Sequence, residues 1–299
     1  MSLYSQAEAN TQKTFLLIIG FCILLIGFGW LFSYIFDNYI ILIIATVLAI
    51  CQSFFSYWYS DKIVLSTTKA KPIEKKDNPE LYRIIENLSI TAGLPMPKIY
   101  ILNESQPNAF ATGRDKNHAV IVVTQGLLEK LERSEIEGVI AHELSHIGNK
   151  DILLSTVVVI LVGIIAILSD FFLRISFWGG RRSSSDESKS GIIMFALGIL
   201  AAILAPIAAS LLQLAISRKR EFLADATGAL LTRYPEGLAR ALEKISDDPS
   251  PLKTANTSNA HLFISSPFKG NQSKNWLVKL FSTHPPVEER IKALREMTI

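Results

Sequence analysis

The sequence predicts a mainly α integral membrane protein with four transmembrane helices and a cytoplasmic α+β domain that carries a small β-sheet. Three observations lead there. Apolar residues make up 49% of the chain and charged residues 19%, and the mean hydropathy is +0.31, which places the chain nearer the membrane class than the soluble one. Four apolar runs are each long enough to cross a hydrocarbon core of about 30 Å at about 1.5 Å per helical residue. The polar stretches between them carry helix-period and strand-period patterns bounded by turn residues, as a globular domain does.

In chain order, residues 1–14 form a polar tail with a single lysine. The apolar run behind it, residues 15–36, is too long for a signal peptide and lacks a small-residue cleavage pattern, so it reads as a retained span. Asp37 and Asn38 turn the chain into a second run, residues 39–59, completing a membrane hairpin over 15–59. Residues 60–151 are globular. Asn78 and Pro79 open a helix that Gly93 stops, and two strands follow at KIYIL and AVIVV, separated by PNAFATGRDKNH, an edge segment followed by a turn. A short helix at GLLEKLE comes next. Ser134 and Glu137 have capping-box spacing, so another helix is expected to start there and run through IEGVIAHELSHIG.

A third run begins at Ile152 and ends near Ile175; a fourth covers residues 191–217, and WGGRRSSSDESKSG joins them. Pro206 does not exclude a helix, since neighbouring membrane helices re-satisfy freed backbone groups. The unit 152–217 reads as a second membrane hairpin, with full crossing and a re-entrant dip both open. Residues 218–299 return to soluble patterning: helices at KREFLADATGALLT, PEGLARALEKIS and VEERIKALREM, with a polar loop holding His261. Lys62, Lys69, Lys71, Lys75 and Lys76 follow the second run, and Arg218, Lys219 and Arg220 follow the fourth. The positive-inside rule therefore puts both termini and the central segment in the cytoplasm, although Arg174, Arg181, Arg182 and Lys189 then flank the outer side.

Composition also excludes functions. The net charge is +3, and no basic stripe interleaved with aromatics could follow a phosphate backbone, so no nucleic-acid partner is expected. Cys22 and Cys51 lie inside apolar runs, which leaves neither a disulfide framework nor a cysteine metal site.

The chemistry rests on His142-Glu143-Leu144-Ser145-His146. Histidines four apart stand on one helical face, where two imidazoles grip a single ion, and Glu143 is placed about 100° round the helix from His142, beside the ion. A catalytic zinc takes three protein ligands and keeps a fourth position for water. Glu221 in REFLAD is the candidate third ligand, and Asp225, one turn on, can orient a ligand histidine through its other ring N–H. The third and fourth runs separate the two motifs by an even number of crossings, so both reach the same side, close to the bilayer surface. That location makes membrane proteins or their exposed ends natural substrates.

PNAFATG, HELSH, the four spans, REFLADATGA and FSTHPPVEERI occur in an order that resembles the HtpX-like family of integral-membrane zinc metallopeptidases, of the gluzincin type, over nearly the whole chain. The resemblance implies a zincin-like protease domain with one Zn2+ held by His142, His146 and Glu221, Glu143 as general base and Asp225 behind the ligands. It also implies a site facing the cytoplasm of a bacterial inner membrane and a stress-response role in degrading misfolded membrane proteins. On the same grounds His284 is expected as an oxyanion donor with Arg290 beside it at the substrate. Asn108 is a further candidate for a substrate carbonyl, because an edge strand there can pair with an extended peptide. The alternatives are a protease that processes one specific substrate, or a zinc-binding membrane scaffold without turnover. Glu143 argues against the scaffold, since a structural zinc site is normally closed by four ligands and has no use for an adjacent acid.

Overall fold

The computed structural model describes residues 3–35, 37–179, 218–256, 258–268 and 285–297, together with Ile199, Leu204, Ile207, Ser210 and Leu211. Helix α1 runs over Leu3–Ile35 and α2 over Ile40–Trp58. The expected polar tail is thus largely the first turns of α1, and the apolar stretch suited to a span begins at Asn10 and ends at Tyr34. Asp37, at a φ of 48°, makes the turn between the helices, and the Asn38 side chain accepts from the Ile40 amide at 3.0 Å. A Cβ on Gly29 would lie 2.2 Å from that of Ala45, so this small pair lets the two helices approach closely.

The short helix α3 covers Ser60–Thr68, and the third membrane helix, α4, occupies Asp151–Gly179 beyond the first soluble segment. Its span, Asp151–Asp170, is mostly buried within the protein, whereas few residues of the α1 and α2 spans are buried. Ile19, Ile23, Ile43, Leu48 and Phe54 form part of that exposed apolar surface, the surface expected of lipid-facing helices. The fourth apolar run lies outside the described residues except for five positions, all helical; the loop that precedes it lies outside them too.

The soluble part opens with strand β1, Lys71–Pro72, and helix α5, Pro79–Ala92. Asn78 caps this helix by accepting from the Leu81 amide at 3.0 Å, and Gly93 ends it at a φ of 66°, where a residue without Cβ is favoured. Strands β2 (Lys98–Leu102), β3 (Ala109–Thr112) and β4 (Val120–Thr124) complete a sheet of order β1-β2-β4-β3. β2 and β4 are parallel, with Lys98 opposite Val120; β3 and β4 are antiparallel, with Ala109 opposite Val123. All of β4 is buried because both faces are covered. Ile121 and Val123 join the core under α5 and the motif helix, while Val120 and Val122 pack with Val64, Val159, Leu262 and Phe263.

Helix α6 is short, Gln125–Lys130, and α7, Arg133–Gly148, carries the histidines. The capping box forms two residues earlier than expected: Glu132 is the N-cap, and its amide donates to Glu135 Oε2 at 2.8 Å. Two later helices press on α7, namely α8 over Arg218–Thr232 and α9 over Pro235–Asp247. Helix α10, Val287–Arg295, closes the described chain. The expected polar loop also departs from its reading. Within it, Leu262, Phe263 and Ile264 are buried against the sheet, and the Ile264 amide donates to the Ala109 carbonyl on the β3 edge at 3.0 Å.

Candidate metal centre

His142 and His146 project from one face of α7, and Glu221 meets them from the first turn of α8. Donor atoms of the three lie within 4.8 Å of one another. The two imidazole Nε2 atoms are 3.2 Å apart, and Glu221 oxygens lie 3.9 Å from His142 Nε2 and 3.6 Å from His146 Nε2. Two ligand atoms bound tetrahedrally at about 2.0–2.1 Å stand about 3.3 Å apart, so the spacing suits one small cation.

The ring tautomers agree with this. His146 Nδ1 donates to Asp151 Oδ2 at 3.0 Å, and His142 Nδ1 lies 2.9 Å from Asp225 Oδ1. Carboxylates accept, so the ring protons belong on Nδ1, and the two Nε2 lone pairs then converge. Facing lone pairs at that distance need a cation or a proton between them. Burial works against charge on both rings, yet Asp151 and Glu221 push His146 up to about 9. His142 is driven below the ordinary histidine value, first by burial.

Around the ligands lies a ring of fixed charge. Arg290, fully buried, donates to Asp225 through Nε at 2.8 Å and Nη2 at 2.7 Å, and through Nη1 to the Ile264 carbonyl at 2.9 Å. Burial opposes ionisation of Asp225, but Arg290 and then His142 outweigh it and hold the carboxyl at about 2. Glu143 is buried as well. Desolvation raises it to about 7 with help from Glu221, against the opposing His146 charge and a hydrogen bond from the Ala111 backbone. A carboxylate poised there can take and return a proton near neutral pH; a bound cation would lower it further. Ala111, Glu143, Ser155, His261 and Leu262 line the same cavity as the ligand residues. Its volume is about 30 Å³, space for a water or an ion.

Among the other expected site residues, Arg290 is directed at Asp225, with Nη1 also 3.6 Å from Glu221 Oε2 at the cavity. Asn108 is fully buried, its amide donates to the Ser265 carbonyl at 3.1 Å, and its Oδ1 accepts from the Ala109 amide. The β3 edge is partly taken up by Ile264, which is why this amide faces protein. His284 lies outside the described residues. Asp151 and His261 carried no expectation. Asp151 is an acid five positions after His146, at the helix break, and that spacing was its only signal; His261, buried, has Nε2 3.2 Å from the Ser155 carbonyl.

A profile of peptidase family M48 matches residues 75–298. The chain is 45% identical to a protease HtpX homolog of Caldanaerobacter subterraneus over 301 aligned residues, covering 100% of this chain and 99% of that one. It is 48% identical to one of Pyrococcus furiosus over 289 residues, 96% of each. The crystal structure of S. mikatae Ste24p aligns at 24% identity with a TM-score of 0.47, over 98% of this chain and 66% of that chain. With a family match over most of its length and relatives that align end to end, the chain belongs to peptidase family M48.

Proposed function

We propose that the chain is a membrane-embedded zinc endopeptidase that cleaves misfolded or damaged membrane proteins at the cytoplasmic surface of the bacterial inner membrane. The observation that carries this reading is the convergence of two Nε2 atoms and one carboxylate on a single point, with Glu143 lining the same cavity. Imidazole and carboxylate donors in a tetrahedral set, without thiolates, suit zinc. His142, His146 and Glu221 would hold the ion. When bound, it supplies Lewis acidity toward the scissile carbonyl and lowers the pKa of water.

The chain's own residues do the rest. Glu143 accepts the proton of the attacking water and returns it to the leaving amine. Asp225 and Asp151 keep the two imidazoles in the Nδ1–H tautomer, so that Nε2 stays a donor to the ion. Arg290 holds Asp225 ionised. His284 is assigned the oxyanion, on the family resemblance. Four spans, divided as 15–59 and 152–217, leave residues 60–151 and 218–299 to form one protease domain on the basic, cytoplasmic side. Membrane substrates follow from position: Asp151, which touches His146, is also the first residue of a span.

The test is a pair of substitutions in the purified chain, assayed for bound zinc and for cleavage of an unfolded test protein. Glu143→Gln should retain zinc and lose at least about a hundredfold in turnover; Glu221→Ala should lose most of its metal. Full turnover by Glu143→Gln would defeat the mechanism.

A further inference from the structure

We infer that the first membrane helix is part of the metal centre, and that Asn10 is a positioning residue that acts on His146 through Asp151. This rests on the metal site proposed above. Asn10 is buried where the α1 span begins. Its Nδ2 lies 2.6 Å from Asp151 Oδ1 and 3.4 Å from the Asn149 carbonyl. Both partners are acceptors, so the atom directed at them is the amide nitrogen. Thr14, also buried, donates to the Asn10 carbonyl at 2.9 Å, which ties the residue into the next turn of its helix.

The geometry gives this contact a purpose beyond satisfying a buried amide. Asp151 divides its two oxygens: Oδ2 takes the His146 Nδ1–H at 3.0 Å, and Oδ1 takes Asn10, with Arg220 Nε at 3.4 Å from the same oxygen. A carboxylate held at only one oxygen can swing about its side-chain axis. Held at both, its plane is fixed, and with it the direction of the imidazole it orients. The backbone there also needs bracing. Lys150 stands at a φ of 57°, a left-handed conformation that is costly for a residue with a Cβ, and Asn10 reaches the residues on both sides of it. Helices α1, α4, α7 and α8 thus converge on one carboxylate, and a shift of α1 in the bilayer would be felt at the ion.

Partners of a metal-bound histidine typically change metal affinity by about 10–100-fold when removed. Asn10 is one bond further out, so the low end applies. In the full-length chain in detergent micelles, Asn10→Ala should bind zinc about tenfold more weakly by chelator competition and lower kcat with KM unchanged. Leu17→Ala is the control: it thins the packing of α1 against its neighbours without touching Asp151, and should keep zinc affinity within about twofold, well short of the tenfold loss. Wild-type affinity in Asn10→Ala, or an equal loss in Leu17→Ala, would overturn the inference while leaving the zinc site standing. A wild-type chain that takes up no zinc would remove both.

Discussion

Replacing Arg290 by methionine keeps most of the side-chain volume and removes the charge that Asp225 relies on. Arg290 and Asp225 are both almost fully buried and are joined by two hydrogen bonds of 2.8 and 2.7 Å. Taking one partner from a buried pair leaves the other charge uncompensated, at a cost of about 3–5 kcal/mol. The same pair holds Asp225 at about 2 against an ordinary value of 3.8, a difference worth about 2 kcal/mol to the fold. Because the folded-state value is depressed, that stabilisation is present above pH 3.8 and is lost as pH falls through about 2. In the variant, burial dominates and Asp225 favours its neutral form. The stability deficit should therefore be largest at neutral pH, begin to shrink as pH falls through the variant's raised Asp225 value, and go on shrinking towards about pH 2. Thermal unfolding in micelles across that range gives the profile, and chelator competition reads the loosened His142 as zinc affinity lowered by about 10–100-fold. A variant as stable as the wild type at pH 7, with a raised KM, would return Arg290 to the substrate and refute the reasoning.

Two further substitutions probe the frame of the site. A Cβ on Gly228 would lie 2.9 Å from the His142 amide nitrogen, so Gly228→Ala should push α8 off α7, carry Glu221 away from the imidazoles and cost about 1–3 kcal/mol; zinc titration showing unchanged affinity would count against it. Asn108→Ala should cost about 1–3 kcal/mol by stranding the buried Ser265 carbonyl while leaving KM per folded molecule unchanged. A raised KM with intact stability would mean that the amide serves the substrate after all.

What the sequence discloses here is what is local. The cap at Asn78, the stop at Gly93 and the histidine spacing on α7 are set within a few residues, and all are legible as such. The early cap at Glu132 was hidden because both Glu132 and Ser134 have a suitable acid three residues on. β1 is two residues long, too short to leave a period. Asn108 reads from sequence as an edge-strand amide open to substrate, and Arg290 as a neighbour of His284. Their burial depends on the Leu262–Ile264 stretch folding onto the β3 edge, and that apolar triplet inside a polar loop was the one sign of it.

Asp151 shows the same limit from the other direction. Its spacing from His146 is five, which on a continuous helix would turn the two side chains apart. They meet because the helix breaks at Lys150, and that break is braced by an asparagine on a helix far away in sequence. The metal ligands are therefore readable from two short motifs, whereas the polar groups that fix their orientation come from α1, α4, α8 and α10. The long apolar segments place those groups as much as they anchor the chain, so severing the membrane helices from the soluble part should weaken the metal centre even where the soluble part keeps its sheet and its core.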